Sequence, residues 1–188
     1  MKTTGNRVNR RFGKALLAFC MLMIMAVSLP LTSQAAVKAG TTKAKAAKVK
    51  VGTMNFYTKS KDEAFLKFTA PSAGTYKFTF SNLARYGYKS TSSKSGVLGS
   101  IMVRKYRKLS SGTTVYDYVK VSTQGGKTDN LSIESAYWYN LLHKGETGLN
   151  VYLKSRYGKV KLKKGETIYF RTYFCGDPVS FTLKTTKS

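Results

Sequence analysis

Lys161-Leu162-Lys163-Lys164-Gly165-Glu166-Thr167-Ile168-Tyr169-Phe170-Arg171-Thr172-Tyr173-Phe174, followed by Val179-Ser180-Phe181-Thr182-Leu183, decides how the chain is built. A Lys-Gly-Glu-Thr turn feeds a strand in which Ile168, Phe170 and Phe174 share one phase. After a Gly-Asp-Pro break, Val179, Phe181 and Leu183 share one phase of another. Alternation with period two assigns each apolar set to a single sheet face.

The same grammar runs through the earlier chain. Ala47, Val49 and Val51 alternate with Lys48 and Lys50. Leu66 and Phe68 share a phase in Ala64–Ala70; after the Pro71-Ser72-Ala73-Gly74 turn, Tyr76, Phe78 and Phe80 oppose Thr75, Lys77 and Thr79. These two segments read as a hairpin. Residues 97–109 and 114–122 read as further strands, and 150–155 and 159–163 lead into the opening stretch. The turn-rich segments 82–96 and 123–130 read as loops. Residues 131–142 are two-sided: Ile133, Ala136, Tyr137 and Leu141 approximate helical spacing, whereas Tyr137-Trp138-Tyr139 favours a strand. The strand reading is adopted. The expectation is an all-β, antiparallel β-sandwich over residues 47–188, with helix only in the N-terminal signal.

Residues 1–35 read as a secretory signal peptide. Lys2, Arg7, Arg10, Arg11 and Lys14 form a basic n-region, Ala15–Leu29 is almost wholly apolar, and Ser33-Gln34-Ala35 offers small residues for cleavage. The apolar run falls short of the roughly 20 residues a spanning helix needs. Residues 36–46 are acid-free and low in complexity and are expected to form a disordered basic lead-in. Only Cys175 then remains, so no intramolecular disulfide can form, and its thiol reads as a small buried hydrophobe.

The whole chain carries 33 basic residues against eight acids, and 28 of the basic residues follow Ala35, a charge of +20. Such an excess favours polyanionic partners. The expected partner is an anionic cell-wall polymer or acidic glycan, with peripheral contact to an anionic membrane as an additional use of the charge and no specific nucleic acid. The expected location is secreted, extracellular and wall-associated. Arg104, Lys105, Arg107 and Lys108, together with Lys159, Lys161, Lys163 and Lys164, are the candidate polyanion contacts. Tyr86, Tyr88, Tyr137, Trp138 and Tyr139 are the candidate carbohydrate-stacking residues, which a neutral carbohydrate-binding module would use.

Two segments resemble a known family. Phe65 to Phe80, and Leu162 to Phe170 followed by Phe181-Thr182-Leu183, resemble the early and late strands of bacterial pre-peptidase C-terminal domains. That resemblance implies a jelly-roll type sandwich, usually a non-catalytic accessory to a secreted enzyme, some members of which bind calcium or extracellular polymers. Calcium needs several oxygen ligands, usually including carboxylates, and eight acids with only Asp62-Glu63 adjacent supply few.

No cofactor, metal or catalytic set emerges. His143 is the only histidine and stands beside a glycine turn without a sequence-adjacent Cys, Asp or His. Glu134 is the most enzyme-like acid, on which a small glycan hydrolase would depend, but spacing selects no second carboxylate for it. The expectation is therefore a binding protein and not an enzyme. One internal echo is present: Leu142-His143-Lys144-Gly145-Glu146-Thr147 recurs twenty residues on as Leu162-Lys163-Lys164-Gly165-Glu166-Thr167, one turn recipe used twice.

Overall fold

The computed structural model describes residues 35–58, 63–175 and 178–188, so the signal-peptide reading of residues 1–34 lies outside the described residues. Among the described residues, thirteen strands form two packed sheets, the architecture of a β-sandwich. The first sheet contains β1 (Val37–Lys38), β3 (Gly52–Tyr57), β13 (Val179–Lys187), β5 (Gly74–Arg85), β11 (Ser155–Leu162), β8 (Val121–Thr123) and β9 (Gly126–Thr128), in that spatial order. The second runs β10 (Asn130–Glu134), β6 (Leu98–Lys108), β12 (Thr167–Cys175), β4 (Ala64–Thr69) and β2 (Ala47–Val49), with β7 (Thr114–Tyr118) also paired to β6. All pairings are antiparallel except β1 with β3 and β2 with β4, so both sheets are mixed at one edge.

Period-two alternation becomes the core directly. Ile168, Phe170 and Phe174 of β12, Val179, Phe181 and Leu183 of β13, and Tyr76, Phe78 and Phe80 of β5 are all buried. They meet as an aromatic stack between the layers: Phe170 lies 4.9 Å from Phe78 and 5.4 Å from Phe80, centroid to centroid. Each such ring adds area burial plus about 0.5–1.5 kcal/mol of pairwise aromatic attraction.

The expected hairpin does not form. β4 belongs to the second sheet and β5 to the first, so Pro71-Ser72-Ala73 is an arch from layer to layer. Phe68 consequently meets Phe78 edge to face and Tyr76 at a tilt across the core, at 5.0 and 4.9 Å. Alternation specifies which side of a strand is apolar and is identical for a hairpin and an arch. β12 and β13 are divided between the sheets in the same way.

Five further expectations are corrected. The lead-in is not without structure: β1 lies along β3, Gly40 pairs with Phe65, and Ala39 and Ala46 are buried. It passes from the edge of one sheet to the edge of the other, covering backbone groups that would otherwise stand open. The segment 123–130 contains β9, and β5 continues past position 82 to Arg85. Residues 131–142 divide: β10 ends at Glu134, and a short helix α1 (Ala136–Trp138) runs into a π-helical turn at Tyr139–His143. Ser135 starts this helix by accepting a 3.3 Å hydrogen bond from the Trp138 N–H. Cys175, finally, is exposed at the end of β12.

The repeated turn recipe is present in both places. Gly145 and Gly165 adopt φ of 87° and 78°, and the following Glu N–H returns to the carbonyl of His143 or Lys163. Glycine takes that left-handed conformation without the steric penalty of a Cβ.

Candidate functional site: two basic sheet faces

With the apolar phases inside, the polar phases of the strands form the outer faces, and register places their side chains in rows. Among the described residues, no Asp or Glu occurs in any strand of the first sheet, whereas its strands carry nine basic residues. One row crosses five strands through directly opposed residues: Thr186, Lys77, Lys159, Ser122 and Lys127. Lys77 and Lys159 therefore stand side by side on strands about 4.8 Å apart. Like charges directly opposite are destabilising unless something relieves them. Tyr157 does so in part, with Lys77 Nζ 4.3 Å and Lys159 Nζ 5.8 Å from its ring centroid. Lys161 lies one row on, opposite Thr75, and is exposed. None of these lysines has a carboxylate partner among the described residues.

The outer face of the second sheet is built differently. Its central row reads Lys48, Lys67, Tyr169, Arg104, Tyr118 across five strands. The neighbouring row contains Thr69 opposite Thr167, and Tyr106 opposite Tyr116. Arg104 is only 3% exposed: its guanidinium lies 4.0 Å from the Tyr116 ring and 5.2 Å from Tyr118, and donates to the Tyr118 hydroxyl at 3.4 Å. The hydrogen bond with Tyr118 pushes the Tyr116 phenol above its ordinary range, with Arg104 opposing. Tyr106 continues the cluster, edge to face with Tyr169 at 4.9 Å and covered by Lys43 at 4.8 Å.

The basic run expected to contact polyanions is thus largely engaged within the protein. Arg104 is sandwiched between tyrosines, Lys105 is paired with Glu166, and Arg107 is paired with Asp117 at 2.9 Å. The Lys105 hydrogen bond is the leading cause holding the Glu166 carboxyl below its usual range. Lys108, Lys159, Lys161, Lys163 and Lys164 are exposed. Lys77 and Lys127 on the first sheet, and Lys67 and Tyr169 on the second, escaped the sequence reading. Their polar phase was visible, but their neighbours are fixed by pairing between distant strands.

The aromatic candidates also separate. Tyr137, Trp138 and Tyr139 lie on the helical segment, where successive side chains point about 100° apart, and do not make one platform. Trp138 packs on Gly96, where a Cβ would collide with the indole, and Tyr139 receives Lys154 at 5.0 Å. Tyr86 stacks on Tyr57 at 5.1 Å. Tyr88 lines a groove of about 450 Å³ with Asn55, Asn82, Lys89 and Thr182. At its base Asn82 donates to Thr182 at 3.3 Å, and Thr182 to Asn55 at 2.9 Å.

Glu134 lies away from both outer faces. It is fully buried, and neither carboxylate oxygen has a hydrogen-bond partner. Burial pushes its carboxyl above the ordinary range; His143 Nε2, 3.6 Å away, opposes, and Glu146 reinforces. His143 Nδ1 in turn lies 3.4 Å from Glu146. The structure therefore joins the acid and the histidine that the sequence left apart. Arg156 is fully buried and donates to the carbonyls of Val151, Gly148 and Leu149, tying the 148–151 loop to β11; burial lowers its pKa.

No protein-family model matches this chain. No curated protein matches it significantly either. Among the described residues, no helix is long and apolar enough to cross a membrane, and no three His, Cys, Asp or Glu side chains gather as a metal site.

Proposed function

We propose that this chain is a secreted, non-catalytic binding domain that acts at the bacterial cell surface on anionic wall polymers or acidic glycans. The observation that carries the proposal is the acid-free outer face of the first sheet, with Lys77 and Lys159 directly opposed and Lys127 in the same row. A face that places like charges in register is relieved by an extended polyanion lying across it, and each contact releases a counterion. A broad flat array suits a repeating polymer better than a compact ligand. The resemblance to pre-peptidase C-terminal domains and the fully buried position of Glu134 support the non-catalytic reading, since a carboxylate must reach its substrate to act on it. An anionic membrane would meet the same charges as a peripheral surface.

The test is the affinity of the full chain for purified wall teichoic acid across a range of salt. Affinity is expected to fall steeply with salt. A Lys77→Ala/Lys127→Ala/Lys159→Ala variant should flatten the log–log slope by roughly two, as expected for about three lost counterion-releasing contacts. Affinity indifferent to salt, or a variant with an unchanged slope, overturns the reading.

One observation favours a second reading, a neutral carbohydrate module. The Tyr88 groove, with its Asn82–Thr182–Asn55 hydrogen-bond chain, offers an aromatic wall and neutral polar groups. Binding there would barely respond to salt and would be lost on Tyr88→Ala.

A further inference from the structure

The groove on the second sheet points to a more selective site. It is an open groove of about 310 Å³ lined by Lys48, Val49, Lys50, Lys67, Thr69, Thr167 and Tyr169. That is the small end of the roughly 300–1,000 Å³ range of ligand pockets, sized for one saccharide unit and not a polymer. We propose that it binds a tetrahedral oxyanion, phosphate or sulfate, carried on a single sugar. The site lies on the other sheet from the polymer-binding face and does not depend on it.

Three features select that chemistry. First, β2 runs parallel to β4 and sets Lys48 directly opposite Lys67, with Lys50 at the same rim. These ammonium groups have no carboxylate partner among the described residues, and Glu63, which precedes β4, is held by Arg171. Second, Thr69 and Thr167 lie 2.8 Å apart across β4 and β12. One hydroxyl donates to the other, which leaves the acceptor's own proton free to donate to a ligand. Third, three lysines and the Thr69–Thr167 hydroxyl pair line the same groove. A phosphate or sulfate ester offers such a donor set three acceptor oxygens, whereas a carboxylate offers two. The sugar is placed by Tyr169, which follows Lys67 in the same row and is held edge to face by Tyr106 at 4.9 Å. Anion at the lysine end and ring at the tyrosine end follow from that order.

The experiment is an amide-shift NMR titration of the full chain at fixed ionic strength with glucose 6-phosphate, glucose 6-sulfate, inorganic phosphate and glucose. Glucose 6-phosphate or its sulfate analogue should shift Lys67, Thr69, Thr167 and Tyr169 and bind at least about tenfold more tightly than glucose, the equivalent of about 1.4 kcal/mol. The preferred ester identifies the natural anion. Lys48→Gln/Lys67→Gln should weaken sugar phosphate and inorganic phosphate alike, while Tyr169→Ala should weaken the sugar ester more than inorganic phosphate. The Lys77→Ala/Lys127→Ala/Lys159→Ala variant should leave all of this unchanged, which separates failure of this site from failure of the polymer reading. Shifts spread over lysines of both sheets, or glucose binding as well as its esters, overturn the proposal. So does a Lys48→Gln/Lys67→Gln variant that retains its circular dichroism spectrum and binds as before.

Discussion

The two outer faces solve one problem in opposite ways. Both sheets carry a row with two lysines in direct opposition, Lys77–Lys159 on the first and Lys48–Lys67 on the second. On the second sheet the row continues into Tyr169, Arg104 and Tyr118, so its arginine is absorbed into an aromatic cluster. On the first it continues into Ser122 and Lys127, and the charge stays at the surface. A cation enclosed by rings contributes to stability, whereas an exposed like-charge row is what the proposed function assigns to association. The total charge does not distinguish these roles; the residues opposite each cation do.

The largest effect should come from what both faces share. Phe170 on the second sheet is buried against Phe78 and Phe80 of the first. Phe170→Ala is expected to cost about 3–5 kcal/mol, the usual loss for a buried phenylalanine. Urea unfolding should show one transition moved to lower urea, with both faces losing ligand binding together. Loss of one face alone would mean that the sheets are not coupled through this stack.

Arg104 against Lys77 comes next and bears most directly on the comparison. Arg104→Ala removes a buried cation from two tyrosine rings and a hydroxyl partner and should cost about 1–2 kcal/mol. Lys77→Ala, by contrast, should stay within about 0.5 kcal/mol of the parent, as surface substitutions usually do. Matched urea curves for the two variants check the contrast, and equal losses would erase it.

How much of this was legible in the chain follows from the same geometry. Alternation at Tyr76-Phe78-Phe80 and at Ile168-Phe170 named core residues correctly, because an apolar phase must be buried whichever strand lies beside it. Pairing was not legible. The Pro71-Ser72-Ala73 turn serves an arch as well as a hairpin, so the split of β4 and β5 between layers left no local trace. Which candidate site residues stand free and which are engaged was illegible at the same link. Arg104-Lys105-Tyr106-Arg107-Lys108 is a basic run in sequence, yet Tyr116, Glu166 and Asp117 arrive from other segments to engage three of its members. Lys77 and Lys159, 82 positions apart, become neighbours only through the β5–β11 register. The strand reading of Tyr137-Trp138-Tyr139 went wrong for a local reason: Ser135 caps a helix that the aromatic composition masked.

Glu134 offers a smaller effect, with a sign that pH reveals. Burial raises its carboxyl above the ordinary range, so the folded protein holds a proton that the unfolded chain releases at about 4.3. Stability from this group is therefore complete below the unfolded value and is lost as pH rises through the folded one. Glu134→Gln cannot ionise and should gain on the parent with rising pH, the gap levelling once Glu134 is charged. A gap on the order of 1 kcal/mol is expected near neutrality, the low end of the cost of an unsatisfied buried polar group. Urea midpoints of both proteins from mildly acidic to neutral pH measure it, and a gap that does not change with pH would mean that Glu134 is ionised to the same extent in the folded and unfolded states throughout.

The smallest effect is the most pointed, because stability and binding should move in opposite directions. Lys159→Glu converts the direct Lys77–Lys159 opposition into a cross-strand pair of opposite charge. Such pairs contribute roughly 0.2–1 kcal/mol, and the relieved repulsion acts in the same direction. The site is exposed, so salt should diminish the gain. The variant is therefore expected to be slightly more stable than the parent at low salt and indistinguishable at high salt. Its affinity for an anionic polymer should nonetheless fall by more than that of Lys159→Ala, because a repulsive charge replaces an attractive one in the middle of the row. Lys48→Glu makes the corresponding change on the second sheet and should leave polymer affinity nearly untouched. If Lys159→Glu instead destabilises the protein, Tyr157 already compensates the two ammonium groups in full. The first face would then be satisfied within the protein as the Tyr169–Arg104–Tyr118 part of the second is, and the contrast between them would disappear.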